Sequence, residues 1–272
     1  METALSNSLI SDTDTEQLTV TAIGDFNPPM ARFRERFSWA LYDFANTVFS
    51  MNIATLYFAA WLVADLGHTN TLYATVNGIA SALVVVSIPV FGAISDATQR
   101  RKPWVVGFTL IACVSTALMA ILGQLGLPLI GEGVNAGIST PRFSSGIALF
   151  GVLAAFTIAN YTYQGAQPFY NAMMSELVPV DHRGRLSGMG AAFCYVGSIT
   201  GVVLTFPFFT GSMPIIGAVP ENVVHFLRTA IPFTSHGGRV STFVPTALLF
   251  LLFSLPLFIF CEITTRRTGK SA

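Results

Sequence analysis

The sequence predicts an all-α integral membrane protein with six transmembrane helices. Its 272 residues are 52% hydrophobic and only 10% charged, and the mean hydropathy is +0.62. A water-soluble domain of this length would carry far more charge. Six apolar stretches are also long enough to cross a bilayer, which takes about 20 residues of helix. They lie at about 38–64, 72–95, 104–126, 145–174, 187–210 and 243–263.

The charged residues are concentrated outside these spans and divide the chain into three parts. Residues 1–36 are expected to form a disordered acidic tail that ends in a basic segment, because acidic, Ser and Thr residues dominate there. The transmembrane domain should cover 37–264, and a basic tail should cover 265–272.

The positions of Lys and Arg predict that both termini lie in the cytoplasm. Eleven of the 14 cations lie before span 1, between spans 2 and 3, between spans 4 and 5, or after span 6. Cytoplasmic loops retain positive charge, and these four segments belong to one side. The other side has only Arg142, Arg228 and Arg239.

The connection between spans 5 and 6 contains one further element. Residues 220–231 begin with a proline and place apolar residues at helical spacing. This pattern predicts a short helix at the membrane interface.

Polar residues inside span 1 form a stripe that should face other helices or water. Asp43, Asn46, Thr47 and Ser50 follow the spacing i, i+3, i+4 and i+7. Polar groups inside a bilayer are costly, so the stripe predicts part of a solute or proton path or an inner gate. The alternative is that Asp43 pairs with an arginine of a neighbouring loop and stabilises the helix bundle.

Span 4 has a second stripe, made of four amides with tyrosines around them. Asn160, Gln164, Gln167 and Asn171 lie at i, i+4, i+7 and i+11. Uncharged donors and acceptors next to aromatic rings suit a small polar or zwitterionic solute. The same amides can instead bond neighbouring helices together, and both readings remain open.

Glycines in span 5 indicate close helix packing. Gly197 and Gly201 form a small-xxx-small pair, and Gly188 lies at the start of the same span. Small residues let helix backbones approach each other, so packing is favoured over direct contact with a solute.

The sequence argues against an enzyme. It contains no phosphate-binding glycine loop, zinc-protease motif or nucleophile elbow. The histidines and cysteines have no metal-ligand spacing, so no metal or cofactor is expected. The zero net charge gives no indication of nucleic-acid binding.

The loop after span 2 identifies a family. Its pattern Gly92-x-x-x-Asp96-x-x-x-Arg100-Arg101 resembles the loop motif of the major facilitator superfamily, with departures at Ala97 and Gln99. The segment 39–46 in span 1 and the segment 183–197 entering span 5 add to the resemblance. Together they look like the branch of autophagy-related vacuolar amino-acid effluxers and their bacterial relatives.

The resemblance covers about residues 37–263 and implies the N-terminal six-helix half of a two-half transporter. Asp96 would gate the transporter by engaging a helix of the second half, with Arg100 and Arg101 as its loop partners. Because such transporters hold solute between two halves, the resemblance implies a partner, either a second six-helix half or a second copy.

The expected function is therefore secondary transport, with export of small solutes such as amino acids. The membrane would be a bacterial inner membrane or a eukaryotic vacuolar membrane. Two alternatives remain: a non-transporting scaffold or regulatory half that associates with a full-length transporter, and a truncated fragment.

Overall fold

The computed structural model describes residues 28–98, 100–126, 145–213, 217–234 and 237–261. Residues 1–27 of the expected tail at 1–36, and the whole of the expected tail at 265–272, lie outside the described residues. Seven helices are present in this part of the chain: α1 Phe33–Asp65, α2 Asn70–Thr98, α3 Lys102–Gly126, α4 Ser145–Leu177, α5 Val180–Thr210, α6 Glu221–Ala230 and α7 Phe243–Phe260.

All of these helices except α6 are long and apolar enough to cross a membrane. The predicted fold class, an all-α membrane protein with six spanning helices, is therefore confirmed. Between α5 and α6, the strands β1 (Ser212–Met213) and β2 (Gly217–Ala218) form an antiparallel pair in which Ser212 lies opposite Ala218. A short 3-10 helix, Arg239–Thr242, leads into α7.

The helix α1 begins at Phe33, inside the segment that the sequence assigns to the tail. Its first turn is closed by a local hydrogen bond, because the Arg32 amide donates to Glu35 Oε2 at 3.3 Å. The Ser38 hydroxyl then donates to the Arg34 carbonyl at 2.6 Å. The basic segment before span 1 is thus the helix start, where long arginine side chains can reach water while the backbone is helical.

The hydrogen-bond pattern of α1 changes along its length. Phe33–Phe49 is α-helical, Ser50–Tyr57 is π-helical, Phe58–Ala60 returns to α geometry and Trp61–Asp65 is π-helical again. A π-helix bonds each amide to the carbonyl five residues earlier, and such segments are rare and frequent at functional sites.

The spanning helices pack as two groups of three. In one group α1 packs against α5 and α7, and in the other α4 packs against α2 and α3. The groups join along a seam between α3 and α7, while α1 adjoins α4 more narrowly. Within the described residues α2 and α5 do not pack closely against each other. The side of the bundle between them is called the α2–α5 face below.

Aromatic rings fill the core, both where the two groups meet and within the group that contains α1 and α7. Phe58 of α1 stacks on Phe156 of α4 with ring centroids 3.9 Å apart, and Trp61 meets Phe243 of α7 edge-on at 5.6 Å. All four side chains are fully buried. Large rigid rings contribute much apolar contact with little rotamer entropy, so they fix how the helices pack.

The two ends of the bundle are held by different contacts. At the proximal end, where the N-terminal segment lies, the Ala31 amide donates to the Leu177 carbonyl at 2.8 Å. At the distal end, Arg239 pairs with Asp65 and also lies over the Phe209 ring, 5.0 Å from its centroid. The distal contacts join α1, α5 and the start of α7.

Candidate functional site

Asp43 lies where α1, α4 and α5 meet, and it is half-buried. The Asp43 carboxylate and the Trp39 ring lie against Gly190 of α5, and a Cβ atom added at Gly190 would displace the carboxylate. Tyr170 of α4 lies beside the carboxylate, and the Thr47 hydroxyl donates to the Asp43 carbonyl at 2.8 Å. Asp43 makes no ion pair with any described residue. The loop arginine expected under the alternative reading is therefore not seen.

A pair of buried aromatic residues fixes α1 against α4 next to Asp43. Trp39 and Tyr170 stack with ring centroids 4.6 Å apart and an interplanar angle of 9°. Trp39 Nε1 donates to the Tyr170 carbonyl at 3.2 Å, and the Tyr170 hydroxyl donates back to the Trp39 carbonyl at 2.9 Å. These reciprocal bonds set the position of the α1 stripe relative to the α4 amides.

Two of the four α4 amides bond to α2. Asn160 Nδ2 donates to Asn77 Oδ1 at 2.7 Å, and Gln164 Nε2 donates to Ser81 Oγ at 3.3 Å. In this structure Asn160 and Gln164 thus stabilise the contact between α2 and α4, which is the role described by the second reading of the stripe.

The other two α4 amides have unused hydrogen-bonding capacity. Gln167 is half-buried and Asn171 is exposed, and neither bonds to another described residue. In α1, Asn46 is buried and its Oδ1 atom has no partner among the described residues. A buried polar atom without a partner costs about 1–3 kcal/mol. Polar groups with unused hydrogen-bonding capacity are therefore present on both α1 and α4.

The structure also shows a polar contact that the stripe pattern misses. Asn52, in the π-helical part of α1, is fully buried, and its Nδ2 atom lies 3.1 Å from the Gly201 carbonyl. The same atom lies 3.2 Å from the hydroxyl oxygens of both Thr205 and Thr246. Asn52 joins α1, α5 and α7. Its position in the middle of an apolar span is the sequence signal that could have found it.

The residues of the loop motif occupy different environments. Arg101 is nearly buried and holds the α2–α3 connection to α4, through a 2.8 Å ion pair with Glu176 and a 2.6 Å bond to the Ala172 carbonyl. Its Nε atom also donates to Ser95 Oγ at 3.1 Å. Arg100 is exposed.

Two further motif residues lie in the last turns of α2. Gly92 is exposed, and a Cβ atom added there would meet nothing within 4 Å. Asp96 belongs to the same helix, but its side chain lies outside the described part of the structure. Within the motif, Arg101 therefore lies inside the bundle, whereas Arg100 and Gly92 lie at its surface.

Of the three α5 glycines expected to pack against a neighbouring helix, Gly197 and Gly201 do so and Gly188 does not. A Cβ atom at Gly197 would lie 2.6 Å from the Phe44 carbonyl oxygen, and one at Gly201 would lie 3.1 Å from Val48 Cα. Gly188, also expected to pack, has open space within 4 Å of its added Cβ. Gly188 lies on the exposed side of α5, which faces away from α1, whereas Gly190 lies on the side that faces α1.

Taken together, Asp43, Asn46, Gln167 and Asn171 give α1 and α4 a set of polar groups inside the membrane-spanning region. They can form hydrogen bonds with a small polar molecule, and Asp43 adds a single acidic group. Asn160 and Gln164 lie on the same α4 stripe but already have partners in α2.

Comparison with known proteins identifies the class. The sequence model of the Major Facilitator Superfamily matches residues 9–202, which is more than half of the chain. The chain therefore belongs to the major facilitator superfamily and is a multi-pass integral membrane protein.

A similar protein is known in Bacillus subtilis strain 168, where it is described as the uncharacterized MFS-type transporter YxiO. The two sequences are 24% identical over 243 residues, which is 84% of this chain and 47% of YxiO. The chain thus spans about half the length of this relative. No solved structure gives a significant match.

Proposed function

We propose that this chain forms one six-helix half of a secondary active transporter that exports small solutes, with amino acids as the first candidates. The observation that carries the proposal is the set of polar groups in α1 and α4 that have no partner among the described residues: Asn46 Oδ1, Gln167 and Asn171. Polar groups inside a membrane face the bundle interior or a water-filled cavity, and they mark solute or ion pathways. Asp43 is the candidate proton carrier of the same path.

The halves of such a transporter rock about a solute held between them, so a single half cannot alternate. In the proposal the partner is a second six-helix half or a second copy, and it covers the α2–α5 face. The proximal end lies in the cytoplasm, in agreement with the distribution of Lys and Arg. Gly92, Asp96 and Arg100 form the gating surface there, and Arg101 anchors their loop to α4.

The loop motif and the neighbouring segments support assignment to the branch that resembles autophagy-related vacuolar amino-acid effluxers. Uncharged amides and tyrosines also suit a zwitterion, whose two charges need hydrogen bonds rather than a single counter-ion. Amino acids are therefore the first solutes to test.

The test is solute uptake into proteoliposomes that contain this chain together with a second six-helix half. We expect Gln167→Leu to lower amino-acid uptake about tenfold, equivalent to about 1.4 kcal/mol, because it removes a hydrogen-bonding group from the path. The matched control is Gln124→Leu, the same change at the distal end of α3, where the amide bonds to the Phe233 carbonyl and lies away from the α1 and α4 stripes. Uptake by this control should stay within about twofold.

Two results would contradict the proposal. One is the absence of uptake for any amino acid by assembled, folded protein. The other is an equal effect of the two glutamine substitutions, which would show that Gln167 has no special contact with solute.

The second candidate function is a scaffold or regulatory half that docks on a full-length transporter without transporting solute itself. The observation that favours it is the low burial of α2 and α5, 22% and 28% in their most apolar segments, which leaves a surface on which a full-length transporter can dock. In that case a full-length relative would co-purify, and substitution of Gln167 would weaken co-purification while uptake by the relative stayed unchanged.

A further inference from the structure

The short helix α6 has three distinct faces. At 100° per residue, one face packs on the bundle and contains the buried Val224 with the half-buried Leu227 and Arg228. A second face is polar and exposed, and its members are Glu221, Asn222, His225 and Thr229. The third face is apolar and exposed, and its members are Val223, Phe226 and Ala230. An ordinary surface helix has only the first two.

The apolar exposed face is large for a helix that is not itself a span. Phe226 is 69% exposed and Val223 is 41% exposed. Phe233, three residues after the helix, is 36% exposed and adopts a φ of 62°. A bulky residue adopts a positive φ only where its surroundings impose it. The surrounding structure therefore fixes the backbone of Phe233 in a conformation that leaves its ring partly exposed.

Hydrogen bonds to two spanning helices set the position of α6. Arg228 Nη2 donates to the Pro207 and Phe208 carbonyls in the last turn of α5, at 3.2 Å each. Gln124, in the last turn of α3, donates to the Phe233 carbonyl. Because α3 and α5 cross the bilayer, their last turns lie close to its boundary. The helix α6 and Phe233 are therefore held at that boundary.

We propose that α6 lies in the bilayer surface at the distal end, with Val223, Phe226 and Phe233 inserted between lipid headgroups and the upper acyl chains. The occupant of the apolar face is lipid, because α6 is bonded to the last turns of α3 and α5, where the hydrocarbon region of the bilayer ends. Burial of such a face by about 5–10 Å is typical of interfacial helices. Glu221, His225 and Arg228 leave little net charge on α6, so apolar insertion rather than attraction to anionic lipid holds it there.

The test is electron paramagnetic resonance on the full chain in phosphatidylcholine vesicles. A spin label is attached through a cysteine at Phe226→Cys or at the matched control His225→Cys on the polar face. The native thiols are removed as Cys113→Ala, Cys194→Ala and Cys261→Ala. We expect the label at 226 to collide severalfold more often with oxygen, which partitions into lipid, than with a water-soluble nickel chelate. The label at 225 should show the reverse.

A second measurement avoids the cysteine-free background, which loses two buried side chains. Phe226→Trp adds an indole to the native protein, and its additional emission should be quenched by lipids brominated near the headgroup. His225→Trp should not be quenched. Equal access of the nickel chelate to positions 225 and 226 would overturn the proposal, since it would place α6 in water. Low access of both probes to position 226 would also overturn it, since protein would then cover the face.

Discussion

At the scale of single residues, the contact between α1 and α5 depends on glycines that face the α1 backbone. Gly197→Ala would place a methyl group 2.6 Å from the Phe44 carbonyl oxygen, and this atom belongs to the backbone and cannot rotate away. We expect the substitution to destabilise the folded protein by about 1–3 kcal/mol. The measurement is thermal unfolding in detergent. Gly188→Ala is the control, and an equal melting temperature for the two variants would contradict the packing described here.

Asn52 provides a second prediction at this scale. Asn52→Leu keeps the side-chain size but removes the bonds to the Gly201 carbonyl, Thr205 and Thr246. We expect a loss of about 1–2 kcal/mol of stability, since hydrogen bonds between membrane helices contribute modestly. Asn171→Leu, at an exposed amide, should change stability little. If both variants unfold at the same temperature, Asn52 does not join the three helices.

The residues that sequence patterns predict well are those whose partners lie on the same helix. The stripes on α1 and α4 follow from helical spacing alone. Spacing does not show that Asn160 and Gln164 bond to α2 while Gln167 bonds to no side chain or carbonyl in the described part of the structure. It also does not distinguish Gly190, which meets Asp43, from Gly188, which meets nothing. Those differences depend on which neighbouring helix lies opposite, and this is a tertiary property.

At the scale of elements, one arginine holds the α2–α3 connection to α4. Arg101→Lys would keep the positive charge but lose the planar group that reaches Ser95, Ala172 and Glu176 together. We expect a loss of stability of up to about 3 kcal/mol, because Glu176 would remain in a nearly buried position with a poorer partner. The control is Arg100→Lys at the exposed neighbour.

A double-mutant cycle with Glu176→Gln, measured by thermal unfolding, separates the Arg101 pair from other contacts of Glu176. A coupling energy near zero would show that the two side chains act independently. In that case the connection would be held by the hydrogen bonds to Ser95 and Ala172 rather than by the ion pair.

The number and type of the elements are predictable because about 20 apolar residues in a row have few other stable forms. The residues at which the helices begin and end are less predictable. The helix α1 begins at Phe33 rather than after the basic segment, because the Arg32 amide finds a partner in Glu35. The π-helical parts of α1 have no counterpart in the apolar pattern, since hydropathy measures length and not hydrogen-bond register.

At the scale of the whole molecule, the spanning helices are unequally covered. The most apolar windows of α2 and α5 are only 22% and 28% buried, against 39–44% for the other four spans. The helix α5 presents Tyr195 with 76% of its surface exposed. In the proposed transporter this is the surface that the second half covers, so α2 and α5 would be interface helices rather than lipid-facing ones.

A photo-reactive amino acid placed at Tyr195 should therefore form a crosslink to a co-expressed second half in native membranes. The matched position is Leu252, which is 56% exposed and belongs to α7 rather than to either helix of the α2–α5 face. It should crosslink to lipid only. Equal crosslinking from both positions would show that the α2–α5 face is not the contact surface.

The π-helical stretch of α1 also affects how many residues the first span can contain. Each wide turn holds one residue more than an α-turn between the same two points, so Ser50–Tyr57 behaves as an insertion absorbed within a continuous helix. Removal of one residue there can restore α geometry and leave both flanks facing the same neighbours. The same deletion in α3 would rotate everything beyond it by about 100°. Alignments of related chains should therefore show single-residue gaps within residues 50–57 of the first span but none within the third span.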